Sequence, residues 1–123
     1  MLMKIIQEPE FRKRLIAKLK HLRGKVFSVV GAGRSGSICA VYASHYLNIP
    51  FIPYAKKIDL PSKLHPILLI DTARYNGKTM RKLQKRVKGS SFCVWLYTEP
   101  PMLRFWYEGT NRIKINDGIT KSS

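Results

Sequence analysis

The chain has 123 residues, with 23 Lys and Arg against 7 Asp and Glu, a formal net charge of +16. That length supports one domain with one core, an apolar fraction of 45% argues against disorder, and no apolar run reaches the ~18 residues of a membrane span. Two cysteines without CxxC spacing and three scattered histidines make a zinc site improbable, while the charge excess draws polyanions: nucleic acid, pyrophosphate-bearing metabolites or an acidic partner.

The start, MLMKIIQEPEF, runs into charges without a long apolar segment, so no signal peptide is expected. Cys39 and Cys93 sit within apolar runs and suit buried thiols in a reducing cytoplasm. Residues 9–23 read as a helix, with Phe11, Leu15, Leu19 and Leu22 on one face and Gly24 as its stop. Val26 to Val30 is β-branched and apolar, hence a buried strand. The turn Gly31-Ala-Gly-Arg-Ser-Gly36 follows, then a helix from Ser37 to Leu47. Phe51 to Tyr54 reads as a short strand, placed near an edge by Pro53.

Residues 55–66 form a polar link. Ile67 to Asp71 is a strand, apolar until its terminal carboxylate. A helix from Gly77 to Lys88 turns Met80, Leu83 and Val87 inward, and Phe92 to Tyr97 is a further strand. Beyond Pro101 the pattern weakens, with Arg112 to Ile115 as a last short strand. Strands alternating with helices predict an α/β fold: three layers, a mainly parallel twisted sheet with helices on both faces, in a single domain over 1–123.

Ligands of such sheets bind at the carboxyl ends of the strands. Two glycine-bearing loops stand there, GAGRSG after the first strand and DTARYNGKT after the third, and each leads into a helix whose exposed amides can cradle an anion. A dinucleotide site needs an acid at the end of the second strand, where Tyr54 is followed by Ala55, Lys56 and Lys57. An ATPase P-loop needs glycine at position 72, which is Thr72.

The segment ILLIDTARYNGKTM resembles the phosphoribosyl-diphosphate (PRPP) signature of the type I phosphoribosyltransferases: apolar strand residues, two acids, a variable stretch, then Ser/Thr-Gly-x-Thr. VVGAGRSGSICAVYASHYLNIPF is similar to that family's first motif, and RFWYEGTNRIKIND to the end of some bacterial and phage-type members. The resemblance implies a fold of that family and Mg²⁺-dependent transfer of ribose 5-phosphate from PRPP to a nucleobase, with release of pyrophosphate. Asp71 and Thr72 then take the catalytic positions, Asp71 touching the metal through PRPP-bound Mg²⁺. Ala73, Arg74, Tyr75, Asn76, Gly77, Lys78 and Thr79 wrap the 5′-phosphate. Ala32, Gly33, Arg34, Ser35 and Gly36, helped by Lys56 and Lys57, hold pyrophosphate, and Trp106 or Tyr107 lies near the base.

The sequence departs from the pattern at three places. Thr72 replaces the second acid, the link that carries the family's flexible hood is short, and Tyr75 stands where some purine-specific relatives have an acidic base. A binding reading therefore stays open beside the enzyme: a regulator of the same fold that senses PRPP or a nucleotide, or binds nucleic acid through its basic helices. GAGRSG also fits sugar isomerase (SIS) domains, whose second signature, Ser-x-Ser-Gly-x-Thr, is not met by Arg74 to Thr79 and which give Asp71 no obvious role. Aromatic residues near the chain end are compatible with a homodimer without demanding one.

Overall fold

The computed structural model describes residues 4–74, 77–98 and 103–108. Their elements, in chain order, are β1 (Lys4–Ile6), α1 (Glu8–Leu19), β2 (Ser28–Gly31), α2 (Gly33–Leu47), β3 (Ile67–Ala73), α3 (Lys78–Gln84), β4 (Ser91–Tyr97) and β5 (Leu103–Phe105). Short 3₁₀ turns occupy Lys20–Leu22, Ser62–Leu64 and Trp106–Glu108. Among the described residues no helix is long and apolar enough to cross a membrane.

Contacts divide these residues into two units, one of 12–74 with 77–98 and one of 4–11 with 103–108. The larger unit is built on a parallel sheet in the order β2-β3-β4, with Val29 opposite Leu68 and Leu69 opposite Cys93. Strand residues alternate between faces, so both faces must be covered, and both are. On one face Val30, Ile67 and Leu69 join Met80 and Leu83 of α3 and Ile58 of the link in a single buried cluster. On the other, Val29, Leu68 and Ile70 are fully buried. Helix α2 packs on β2 and β3, presenting the buried Cys39, Ala40 and Ala43. Helix α1 lies against β4, where Arg14 Nη1 donates to the Leu96 carbonyl at 3.0 Å and the guanidinium stacks 4.3 Å from the Tyr97 ring centre. Mixed α/β layering with a parallel sheet is what the sequence pattern predicts.

Several boundaries differ for identifiable reasons. The expected strand at Phe51–Tyr54 is reduced to one bridge: Val29 N donates to the Pro50 carbonyl and Ile52 N to the Val29 carbonyl, and pairing stops before Pro53. Strand β3 runs two residues past Asp71, so Thr72 and Ala73 are strand rather than loop. Helix α2 begins at Gly33, four residues before the expected start, and ends at Asn48 in the left-handed region (φ 56°). Helix α3 stops at Gln84 because the following residues pair with the link: Ile58 N donates to the Arg86 carbonyl at 2.7 Å and Lys88 N to the Ile58 carbonyl at 2.9 Å. Part of the polar link thus enters the core, with Ile58 buried. The strand expected at 112–115 lies outside the described residues.

The smaller unit holds a sheet absent from the sequence reading. β1 and β5 pair in parallel, Lys4 opposite Leu103 and Ile6 opposite Phe105. Within it Phe11 meets Phe105, Trp106 and Tyr107 edge-on, and Phe105 stacks on Tyr107 with centroids 5.5 Å apart. Phe105 N donates to Glu108 Oε1 at 2.9 Å, which closes the turn carrying these rings.

Candidate functional site

Two close approaches at the carboxyl end of the sheet require glycine. A Cβ at Gly31 would overlap the Gly36 carbonyl, so the turn can fold back on itself only without a side chain there. Gly33 has φ +73°, a conformation that L-residues rarely adopt, and it lets the chain reverse directly from β2 into α2. The first turn of an α-helix carries amides without intrahelical acceptors, and here that turn is Gly33 to Gly36. Ala32, expected to offer its amide to a ligand, instead donates it to the Ile70 carbonyl at 2.8 Å. That bond ties the start of α2 to β3.

Asp71 and Thr72 lie at the end of β3, beneath this turn. Asp71 is only 9% exposed and Thr72 3%. Asp71 Oδ1 accepts from the Thr72 amide at 2.8 Å, and Ser35 Oγ and Thr72 Oγ1 share a hydrogen bond of 2.9 Å. A Cβ at Gly36 would lie 3.2 Å from Asp71 Oδ1, so the glycine makes room for the carboxylate. Burial pushes the Asp71 carboxyl up from 3.8 to about 6, against the pull of hydrogen bonds from Thr72. Burial, helped by the charge of Asp71, also pushes the Cys39 thiol up.

The second loop arrives at the same place. Gly77, at φ +75°, opens α3, followed by Lys78 and Thr79. A Cβ added to Gly33 would sit 3.4 Å from Thr79 Cγ2, so the two glycine loops touch. Beside their junction is an open cavity of about 430 Å³ lined by Gly33, Arg34, Ser37, Tyr54, Thr79 and Lys82. Two cations, two hydroxyls and one aromatic ring suit a phosphorylated ligand, and the volume falls in the range of small-molecule sites.

The predicted residues are therefore only partly gathered. Gly33, Arg34 and Thr79 line the cavity, whereas Asp71 and Thr72 lie behind the first turn of α2 and are coupled to it through Ser35 and Gly36. Arg74 stacks over Trp95 at 5.1 Å, with its amide bound to the Tyr97 carbonyl. Lys56 and Lys57 are exposed just beyond Tyr54, which lines the cavity where the lysines do not. Trp106 and Tyr107 are half-buried in the aromatic cluster of the smaller unit. Tyr75 and Asn76 lie outside the described residues.

Ser37, Tyr54 and Lys82 were missed. Two had a signal in the spacing: Ser37 is four residues past Gly33, to whose carbonyl its Oγ donates at 2.9 Å, and Lys82 is three past Thr79 on the same helix face. Tyr54 had none, since its place depends on where the link folds.

The donor set also bears on the magnesium that the resemblance implies. Among the described residues no three of His, Cys, Asp or Glu come together, and Asp71 is the one carboxylate at the end of β3. These residues do not make a protein-held metal site, so a magnesium ion would have to arrive on the diphosphate of the ligand.

No family model matches the chain, and no curated protein is similar to it in sequence. Solved structures are. The chain is similar to a purine phosphoribosyltransferase from Pyrococcus horikoshii Ot3, with a TM-score of 0.67 and 19% identity over 87% of this chain and 95% of the other. It is similar to the Helicobacter pylori xanthine-guanine-hypoxanthine phosphoribosyltransferase, with a TM-score of 0.69 and 14% identity over 94% and 97%. A hypothetical protein from Neisseria gonorrhoeae with bound ppGpp aligns with a TM-score of 0.63 and 14% identity over 94% and 96%. The fold is that of the type I phosphoribosyltransferases. At the level of fold this decides between the two families that share the Gly-x-Gly-Arg-Ser-Gly turn.

Proposed function

We propose that this chain binds PRPP or a purine nucleotide and that its reaction is transfer of ribose 5-phosphate to a purine base. The observation that carries this reading is the close approach of Gly33 to Thr79, which brings the two glycine-bearing segments to one cationic cavity. In the reaction, a ring nitrogen of the base forms a bond to the ribose C1 as the bond from C1 to the diphosphate oxygen breaks. The base gives up its N–H proton, and pyrophosphate leaves.

The chain's own groups suit these tasks. The first-turn amides of α2 with Arg34 and Lys82 take the negative charge of the leaving diphosphate. Gly77, Lys78 and Thr79, at the start of α3, take the 5′-phosphate. Asp71, charged at neutral pH although held near 6, accepts from a ribose hydroxyl once ligand contact draws it from under Gly36. The phosphoribosyltransferases among the structural neighbours support a purine as the acceptor.

A second reading, ligand binding without turnover, has its own support. The Thr72 hydroxyl is engaged with Ser35 and Asp71 Oδ1 with the Thr72 amide, so the strand end brings a single carboxylate that is already partly satisfied. The ppGpp bound to the Neisseria protein makes a nucleotide polyphosphate a reasonable ligand for that case. Pyrophosphate release from PRPP and magnesium with adenine, guanine, hypoxanthine or xanthine supports the transferase. PRPP or ppGpp binding in calorimetry with no release from any base supports the sensor. No binding of PRPP, a purine nucleotide or ppGpp refutes both.

A further inference from the structure

We propose that the face formed by α3 and the adjoining link is a binding surface for single-stranded nucleic acid, separate in its outer part from the phosphoribosyl site. Charge is the first ground. Residues 12–98 contain 18 Lys and Arg but only two acids, Asp59 and Asp71. Asp71 is buried, and Asp59 has Lys88 Nζ 3.9 Å away with both side chains exposed.

The second ground is how the fold collects these cations. Met80 and Leu83 turn one side of α3 into the core, which leaves Lys78 and Lys82 on the opposite side, with Lys85 at the helix C-cap, all three exposed. Beyond the helix, the bonds between Ile58, Arg86 and Lys88 zip the link onto this element. Arg86 Nη1 also donates to the Lys56 carbonyl at 3.3 Å. Lys56 and Lys57, some 30 residues away in sequence, are thereby brought beside Lys85 and Lys88, all four exposed.

The third ground is aromatic. Helix α3 carries no ring among its charges, which at the level of sequence argues against base stacking there. The folded link supplies one. Tyr54 is 45% exposed, lies 5.5 Å from the Arg86 guanidinium, and shares its cavity with Lys82. A row of lysines tracks a phosphodiester backbone, and an exposed tyrosine among them offers a platform to an unstacked base. That pairing is the signature of single-strand binding, which reads stacking rather than base edges. A duplex would use the lysines but hide its bases from Tyr54.

The test uses the full chain and fluorescein-labelled 20-nucleotide single strands of mixed sequence, RNA and DNA, with the matching duplex, in fluorescence anisotropy across a salt series. Single strands are expected to bind at low salt, with affinity falling steeply as salt rises. Lys85→Glu with Lys88→Glu, both outside the phosphoribosyl site, should weaken binding about tenfold or more and flatten the logarithmic salt slope by about one to two units. Tyr54→Ala should weaken single-strand binding by about tenfold while leaving the duplex nearly unchanged. RNA against DNA tells which strand is preferred, and preference for either supports the proposal.

No anisotropy change at low salt overturns it. So does an unchanged affinity in the double lysine variant with an intact thermal transition, and so does equal loss of single strand and duplex in Tyr54→Ala. Asp71→Asn separates this proposal from the phosphoribosyl reading, because it should retain nucleic-acid binding whether or not PRPP binds.

Discussion

Asp71→Asn gives the sharpest test of how the strand end is built. The carboxyl titrates at about 6 in the folded chain against 3.8 for the ordinary group. The folded state therefore holds the proton more tightly than the unfolded one. Stability attributable to this residue is complete below about 3.8, falls as pH rises toward 6, and stays low above. The gap is about two pH units, and at about 1.4 kcal/mol per unit the cost at pH 7 is about 3 kcal/mol. Asparagine keeps an oxygen to accept from the Thr72 amide and removes the charge that burial penalises. The variant should be more stable than the parent at pH 7 by about 1–3 kcal/mol and equal to it near pH 4. Urea unfolding followed by tryptophan fluorescence at both pH values reads this as a higher midpoint at pH 7 only. A gain of the same size at both pH values, or a loss at pH 7, would show that the carboxylate is not held under strain by burial. The same variant should bind PRPP poorly, the trade of stability for function expected where a charge is buried for use.

Other substitutions probe the loops and the core. Gly31→Ala should abolish cooperative unfolding in circular dichroism, because its Cβ meets backbone at Gly36, and a native-like transition would contradict the close approach. Gly33→Ala should cost about 1–2 kcal/mol for its positive φ and weaken PRPP binding in calorimetry. Lys82→Ala should weaken PRPP binding about tenfold with little change in melting temperature, because the side chain is an exposed cavity cation whose charged contacts are worth about 1.5–3 kcal/mol. In the native state a thiol reagent should modify the half-buried Cys93 well before the fully buried Cys39, and equal rates would contradict the placement of α2.

Much of the architecture was legible because it rests on periodicity and punctuation. Phe11, Leu15, Leu19 and Leu22 recur at helical spacing and all four are buried. Ile67 to Ile70 form an unbroken apolar run and become the central strand, which is buried on both faces. The turn from β2 into α2 was legible because glycine there has a backbone task, at Gly31 a close approach and at Gly33 a positive φ. What stayed hidden depends on contacts distant in sequence. Ile58 looks like one apolar residue in a polar link, and only its pairing with Arg86 and Lys88 makes it core. Lys4–Ile6 is too short for an alternation signal, and its partner strand lies near the other end of the chain. Sequence placed Asp71 on the third strand but ended that strand two residues early, and it could not show the carboxylate turned under Gly36. It named Lys56 and Lys57 where the fold brings Tyr54 to the cavity.

The pairing of β1 with β5 sets an order on events. Lys4 and Leu103 are neighbours in the sheet yet about a hundred residues apart along the chain. Closing so long a loop carries an entropic cost that grows only slowly with length, but the search is slow, and non-local pairing is the part of a topology that delays folding. During synthesis, Lys4–Ile6 emerges first and must wait for Leu103–Phe105 before either strand has a partner. The β2-β3-β4 sheet needs nothing beyond Tyr97, so it is expected to consolidate while the first strand is still unpaired. A truncation ahead of Leu103 would thus leave Lys4–Ile6 without its partner strand.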